Sequence, residues 1–96
     1  MAVNAIRIRP EDNVAVATED IQAGERLRMA QELGITARDE VPYGNKVALV
    51  TIPSGEPVIK YGECIGEAME DISPGQLVHT HNVKPLEIPD VLVEIT

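Results

Sequence analysis

Apolar and polar positions alternate along this chain in short runs. Ala5 to Arg9 sets Ile6 and Ile8 on one side of an extended segment, and Val14 to Thr18 follows the turn-like Glu11-Asp12-Asn13. The same period-two pattern predicts strands over Lys46 to Ile52, Pro57 to Tyr61, Leu77 to His81 and Val91 to Ile95. Seven Gly and seven Pro are spread so evenly that few windows hold a helix of ordinary length. One opening is Glu25 to Leu33, where Leu27, Ala30 and Leu33 recur at every third position while Arg26 to Met29 alternate. That segment reads as a strand with at most a short helical turn near residues 25–37. The fold class expected is all-β, built from short strands and tight turns.

A repeat lies inside the pattern. Asp20-Ile21-Gln22-Ala23-Gly24-Glu25 is echoed by Asp71-Ile72-Ser73-Pro74-Gly75-Gln76 and more faintly by Ile52-Pro53-Ser54-Gly55-Glu56. In each, Gly follows Ile by three residues, as in a tight turn whose Gly takes positive φ between two strands. Related corners used more than once imply a pseudo-symmetric β-structure. The spacing between copies is uneven, which excludes a solenoid.

Composition narrows the core and the partners. The chain has 96 residues, no Phe or Trp and two Tyr, so its interior must be packed from aliphatic side chains. Sixteen acids against eight bases give a net charge of −8, with the bases dispersed. Nucleic acid and anionic membrane surfaces are therefore not expected partners. No apolar run is long enough to span a bilayer, and Met1 to Pro10 has no signal-peptide core, so a cytoplasmic location is expected. Cys64 is the single cysteine and reads as a partly buried structural thiol. From Val83 the chain changes character, with Pro85 and Pro89 leading to the last apolar run. A domain over 1–82 and an extension over 83–96 follow from this, the last strand offering an edge for a homo-oligomer.

Three clusters carry candidate chemistry. His79 and His81 are two apart in an expected strand, which points both imidazoles to one face as acid, base or metal ligands. A solvated strand face has the same spacing. Tyr43-Gly44-Asn45-Lys46 presents a lysine from the start of a strand, and Val58-Ile59-Lys60-Tyr61-Gly62 does so before a turn. Against the acidic background, Lys46 and Lys60 are the natural contacts for an anion.

Taken in order, Asn13-Val14-Ala15-Val16-Ala17, the Asp20 turn, Val41 to Leu49, Val58 to Gly66 and Asp71 to Asn82 resemble the small domain of the altronate and galactarate dehydratase family. The resemblance covers about residues 2 to 82. It implies an SAF (sialic-acid-synthase and antifreeze-like) domain of β-clip type. It also implies the small part of a carbohydrate-acid lyase, working with a large dehydratase chain to eliminate water from a sugar acid. A relative that eliminates sulfite from sulfolactate has the small domain as a separate subunit. His79 and His81 are then expected to be catalytic or metal-binding, and Asn45, Lys46, Lys60, Tyr61 and Asn82 to bind substrate. A divalent metal, iron or manganese, is implied for the assembled enzyme. Where the family has His in a Gly-His-Lys motif this chain has Asn45, which cannot act as a general base. The alternative is a stand-alone SAF-type module that binds carbohydrate or serves assembly without catalysis.

Overall fold

The computed structural model describes residues 2–85, and the strand expected over Val91 to Ile95 lies outside them. There are seven strands: β1 (Ala5–Ile6), β2 (Val14–Ala17), β3 (Lys46–Ala48), β4 (Pro57–Lys60), β5 (Glu63–Ala68), β6 (Leu77–Val78) and β7 (Val83–Pro85). They form two antiparallel sheets, one in the order β1-β2-β3-β6 and the other β4-β5-β7. No helix occurs among the described residues, and hence none is long and apolar enough to cross a membrane. The segment after Gly24 is extended instead of helical: Arg26 bridges Thr36, and Leu27 N–H donates to the Ile35 carbonyl at 2.8 Å. Leu27 is buried between exposed or half-buried arginines, so alternation prevails over the three-residue spacing.

The repeated turns are the framework. Four of them are present, because Val41-Pro42-Tyr43-Gly44-Asn45 makes the same corner with Val in place of Ile. In each, the residue after Gly donates its N–H to the carbonyl three positions back, at 3.0 Å for Glu25, Asn45 and Glu56 and 3.1 Å for Gln76. Gly24, Gly44, Gly55 and Gly75 have φ between 84° and 90°, the type II geometry that only Gly enters without strain.

Each corner closes on an alanine. Gly24, Gly44, Gly55 and Gly75 donate to the carbonyls of Ala37, Ala17, Ala68 and Ala48 at 2.8–2.9 Å. The same alanines donate back to the carbonyls of Glu25, Asn45, Glu56 and Gln76 at 2.8–3.0 Å. All four alanines are buried. The corners also pair among themselves, Ile21 with Val41 and Ile52 with Ile72. Asp20 Oδ1 accepts Tyr43 N–H at 2.8 Å, and Asp71 Oδ1 accepts Ser54 N–H at 2.9 Å.

Two buried asparagines complete the repeat. Asn4 Oδ1 accepts Arg28 N–H at 2.7 Å while its Nδ2 donates to the Arg26 carbonyl at 3.0 Å. Asn82 makes the matching bonds with His79 N–H at 2.9 Å and the Leu77 carbonyl at 2.8 Å. Asn4 opens β1 and Asn82 opens β7, so the equivalent strand comes first in one half and last in the other.

Packing follows the same division. Ala15, Ala17, Ile21, Leu27, Val41 and Val47 belong to one aliphatic cluster, and Val14, Ala48, Ile52, Val58, Ile72 and Val78 to a second. Strands β2 and β3 feed both clusters from opposite faces, which explains their nearly continuous apolar sequence. Strand β5 is masked in the sequence by Gly66. A Cβ there would lie 2.5 Å from the Lys84 carbonyl oxygen, so Gly permits the close approach of β7.

Gly55 and Gly75 have the same φ but different surroundings. A Cβ at Gly55 meets open space, whereas one at Gly75 collides with the Thr36 carbonyl. Denaturant unfolding of Gly55→Ala is expected to show a loss of about 1–2 kcal/mol from left-handed strain alone. Gly75→Ala should lose clearly more, and equal losses would contradict the packing described. Asn82→Ala, which strips partners from His79 N–H and the Leu77 carbonyl, is expected to cost about 2–3 kcal/mol in the same measurement.

Candidate functional site

Lys46 leaves the Pro42–Asn45 corner as the first residue of β3, with Val16 and Val78 as its neighbours across the sheet. Its stem is half-buried. Burial pushes the Lys46 ammonium below the usual lysine range, and the positive charge of Lys60 pushes it further the same way. Both lysines stand out in a chain of net charge −8. Among the described residues the ion pairs are Arg26 with Glu32 and Arg28 with Glu19 and Glu25, and neither lysine takes part in one.

Lys60 ends β4 opposite Glu63, which begins β5. The two residues between them, Tyr61 and Gly62, have φ of 57° and 72°, both positive as a type I′ hairpin turn requires. Tyr61 is the one non-glycine residue with positive φ among those described. The Lys60 ammonium sits 4.9 Å from the centre of the Tyr61 ring, a cation–π contact that limits where this lysine points. A register shift between Val58 and Ile59 leaves Ile65 as an extra residue on β5, in the manner of a bulge.

The two histidines are arranged differently from the strand expected over Leu77 to His81. Strand β6 stops at Val78, and Asn82 N–H and Val83 N–H both donate to the His79 carbonyl at 3.0 Å. This turn, stabilised by the Asn82 side chain, ends the period-two geometry, so His79 and His81 do not project side by side from one strand face. Both are exposed. Asn82 is 1% exposed with both ends of its amide engaged by backbone, so its side chain holds the turn from within.

A groove of about 190 Å³ gathers Lys46, Ile65, His79, Thr80, Val83 and Pro85. Of the residues singled out from sequence, it brings together Lys46 and His79. Lys60, Tyr61, His81 and Asn82 are not in its lining. Asn45 sits in the preceding corner, with its amide Nδ2 donating to the Pro42 carbonyl at 3.2 Å. Sequence reasoning missed Thr80 and Ile65, one placed by the unforeseen turn and the other by the bulge. Cys64, expected to be partly buried, is exposed on β5. A larger groove of about 470 Å³ runs along β1, lined by Ile6, Ile8, Met29, Arg7 and Arg9 among others, and contains neither histidine nor lysine.

Among the described residues no three His, Cys, Asp or Glu side chains gather as a metal-ligand set. Two histidines on an exposed turn do not match the donor set of a resident metal. What the groove offers is the ammonium of Lys46, an imidazole and a hydroxyl. Its volume falls below the roughly 300–1,000 Å³ of a complete small-molecule pocket.

Residues 3–86 match the family profile described as the altronate/galactarate dehydratase SAF domain. The chain is 44% identical over 79 residues to altronate dehydratase of Bacillus subtilis (strain 168), covering 82% of this chain and 16% of that protein. It is 36% identical over 86 residues to galactarate dehydratase (L-threo-forming) of Escherichia coli (strain K12), covering 88% of this chain and again 16% of the relative. With (2R)-sulfolactate sulfo-lyase subunit alpha of Chromohalobacter salexigens it shares 34% identity over 90 residues, 88% of this chain and 96% of that subunit. The chain thus spans about one sixth of the dehydratases and nearly the whole of a lyase subunit. With two antiparallel sheets, the repeated corners and this match over most of its length, the chain belongs to the altronate/galactarate dehydratase SAF domain family.

Proposed function

We propose that this chain is the small component of a carbohydrate-acid lyase, and that its groove holds the carboxylate end of an anionic polyhydroxy acid while a larger chain closes over it. One observation carries the reading. Lys46 is half-buried beside His79 in the groove of an acidic protein, without an ion-pair partner among the described residues, and feels the positive charge of Lys60. A half-buried ammonium without a carboxylate partner is a favourable seat for an anion.

The chemistry expected of such a site is elimination. The C–H bond next to the carboxylate breaks, its electrons form the new C=C bond, and the leaving group departs from the next carbon. For a sugar acid the leaving hydroxide is protonated to water and the enol product tautomerises to a 2-keto-3-deoxy acid. For a sulfo acid the leaving group is sulfite. The proton is weakly acidic until charge on the carboxylate oxygens is stabilised, which is the task assigned to Lys46 and Lys60. His79 is assigned proton transfer, since an imidazole exchanges protons near neutral pH and Asn45 cannot. The small volume of the groove leaves most of a six-carbon acid to be covered by another chain, which is also where the divalent metal of the assembled enzyme is proposed to find its ligands.

The test is turnover of altronate, galactarate and sulfolactate by the purified chain with and without its larger partner. Turnover only in the reconstituted assembly is expected, and turnover by the chain alone would overturn the division of labour. Tight sugar-acid binding with no turnover in any combination would favour a binding module instead. Within the active assembly, Lys46→Met is expected to raise KM at least about tenfold, the order of magnitude for loss of a charge-assisted hydrogen bond. Affinity should also weaken as pH rises through the lowered Lys46 pKa, earlier than an ordinary lysine would dictate. An affinity that falls no earlier than an ordinary lysine dictates, read by calorimetry, would contradict that role.

A further inference from the structure

Asp12 takes no part in the groove, yet its carboxylate is only 3% exposed. Its Oδ2 accepts N–H bonds from Arg9 at 3.0 Å and Tyr61 at 3.1 Å, and its Oδ1 accepts one from Gly62 at 2.7 Å. Two of these three donors are the central residues of the β4–β5 turn. Tyr61 is held there at positive φ, a conformation that for a bulky side chain needs support from its surroundings. Burial acts to raise the Asp12 pKa, but the bonds from Gly62, Arg9 and Tyr61, together with the charge of Arg7, hold it below the usual aspartate range.

The next residue reinforces the attachment. Asn13 N–H donates to the Ile59 carbonyl at 3.3 Å, its Oδ1 accepts Ile59 N–H at 2.7 Å, and its Nδ2 donates to the Pro57 carbonyl at 2.9 Å. Consecutive side chains thus bind β4 and its turn to the segment that enters β2. Strand β2 in turn pairs with β3, where Val16 faces Lys46. The hairpin that carries Lys60 belongs to the other sheet, so this attachment ties it through β2 to the strand that carries Lys46.

We propose that Asp12 is a positioning residue: by gathering the Tyr61 and Gly62 amides it fixes the β4–β5 turn on the segment before β2 and so sets where Lys60 stands relative to Lys46. The functional meaning of that placement rests on the reading of the groove as an anion site. The placement itself does not, and it is measurable without any ligand.

The experiment follows the titration of the Lys46 side chain by NMR in the full chain. Asp12→Asn preserves shape but turns an amide donor toward one of the backbone N–H groups. Removing a negative charge, by itself, lowers the pKa of a nearby lysine. Loss of positioning has the opposite sign, because Lys60 moves away and its repulsion is relieved. The Lys46 midpoint is therefore expected to rise in Asp12→Asn, by about as much as in Lys60→Met, which sets the scale. A midpoint in the folded variant that is unchanged or lower would overturn the proposal.

If Asp12→Asn does not fold, amide exchange in the wild-type chain decides. The Tyr61 and Gly62 amides are expected to be protected as strongly as the paired amides of β4, and free exchange at those two positions would overturn the proposal. Titration with inorganic sulfate separates this idea from the one it builds on. No response of Lys46 to sulfate in the wild-type chain, together with a raised midpoint in Asp12→Asn, would sink the anion site and leave the positioning role standing.

Discussion

The reciprocal hydrogen bonding between a glycine corner and a buried alanine is the interaction on which the rest of this domain depends. At four places a Gly N–H and the carbonyl of the following residue take up both polar groups of one alanine backbone, at 2.8–3.0 Å. Short strands of two to six residues cannot satisfy a backbone by ladder bonds alone. The corners supply what the ladders omit, and they do so where the chain must turn. Alanine fits because its small side chain is accommodated in an aliphatic interior. The two-sided use of β2 and β3 then follows, because the corner pairs stand on opposite sides of that central pair and each brings its own aliphatic cluster.

The same architecture creates the groove. One corner, Pro42 to Asn45, delivers Lys46 to the start of β3, and the Ser73 to Gln76 corner begins the short β6 that ends at the Asn82 turn. His79 reaches the groove because β6 is only two residues long. Lys60 arrives from the other sheet on a strained two-residue turn. Rigid backbone thus holds each lysine in place without an ion-pair partner among the described residues. Preorganisation of this kind makes electrostatic stabilisation of an anion effective, since the cost of placing the charges is met by folding.

Much of this was legible from residues alone, and the losses have physical causes. The Ile-to-Gly spacing revealed three corners, and the fourth escaped because Val41 replaces Ile. Alternation located β1, β2, β3, β4 and β6, though each runs shorter than its sequence pattern. Strand β5 was hidden because Gly66, needed for the approach of Lys84, interrupts the apolar signal. The His79–His81 spacing misled because Asn82, in contact with backbone through both ends of its amide, ends β6 early. Asp12 and Asn13 looked like ordinary turn formers. Their partners lie 44 to 50 residues away and leave no local trace, apart from the Arg9 bond. Lys46 and Lys60 were found because charge stands out in an acidic chain.

The small groove lined by Lys46 and His79, not the larger groove along β1 that carries Arg7 and Arg9, is proposed to meet an anionic polyhydroxy acid. The most direct measurement is an NMR titration of the labelled chain with galactarate, following lysine side chains, isoleucine methyls and backbone amides together. The account predicts saturable shifts at Lys46, Lys60, His79, Thr80 and Ile65, with Ile6 and Ile8 unmoved. Shifts confined to Ile6, Ile8 and Met29, with the lysines silent, would contradict it.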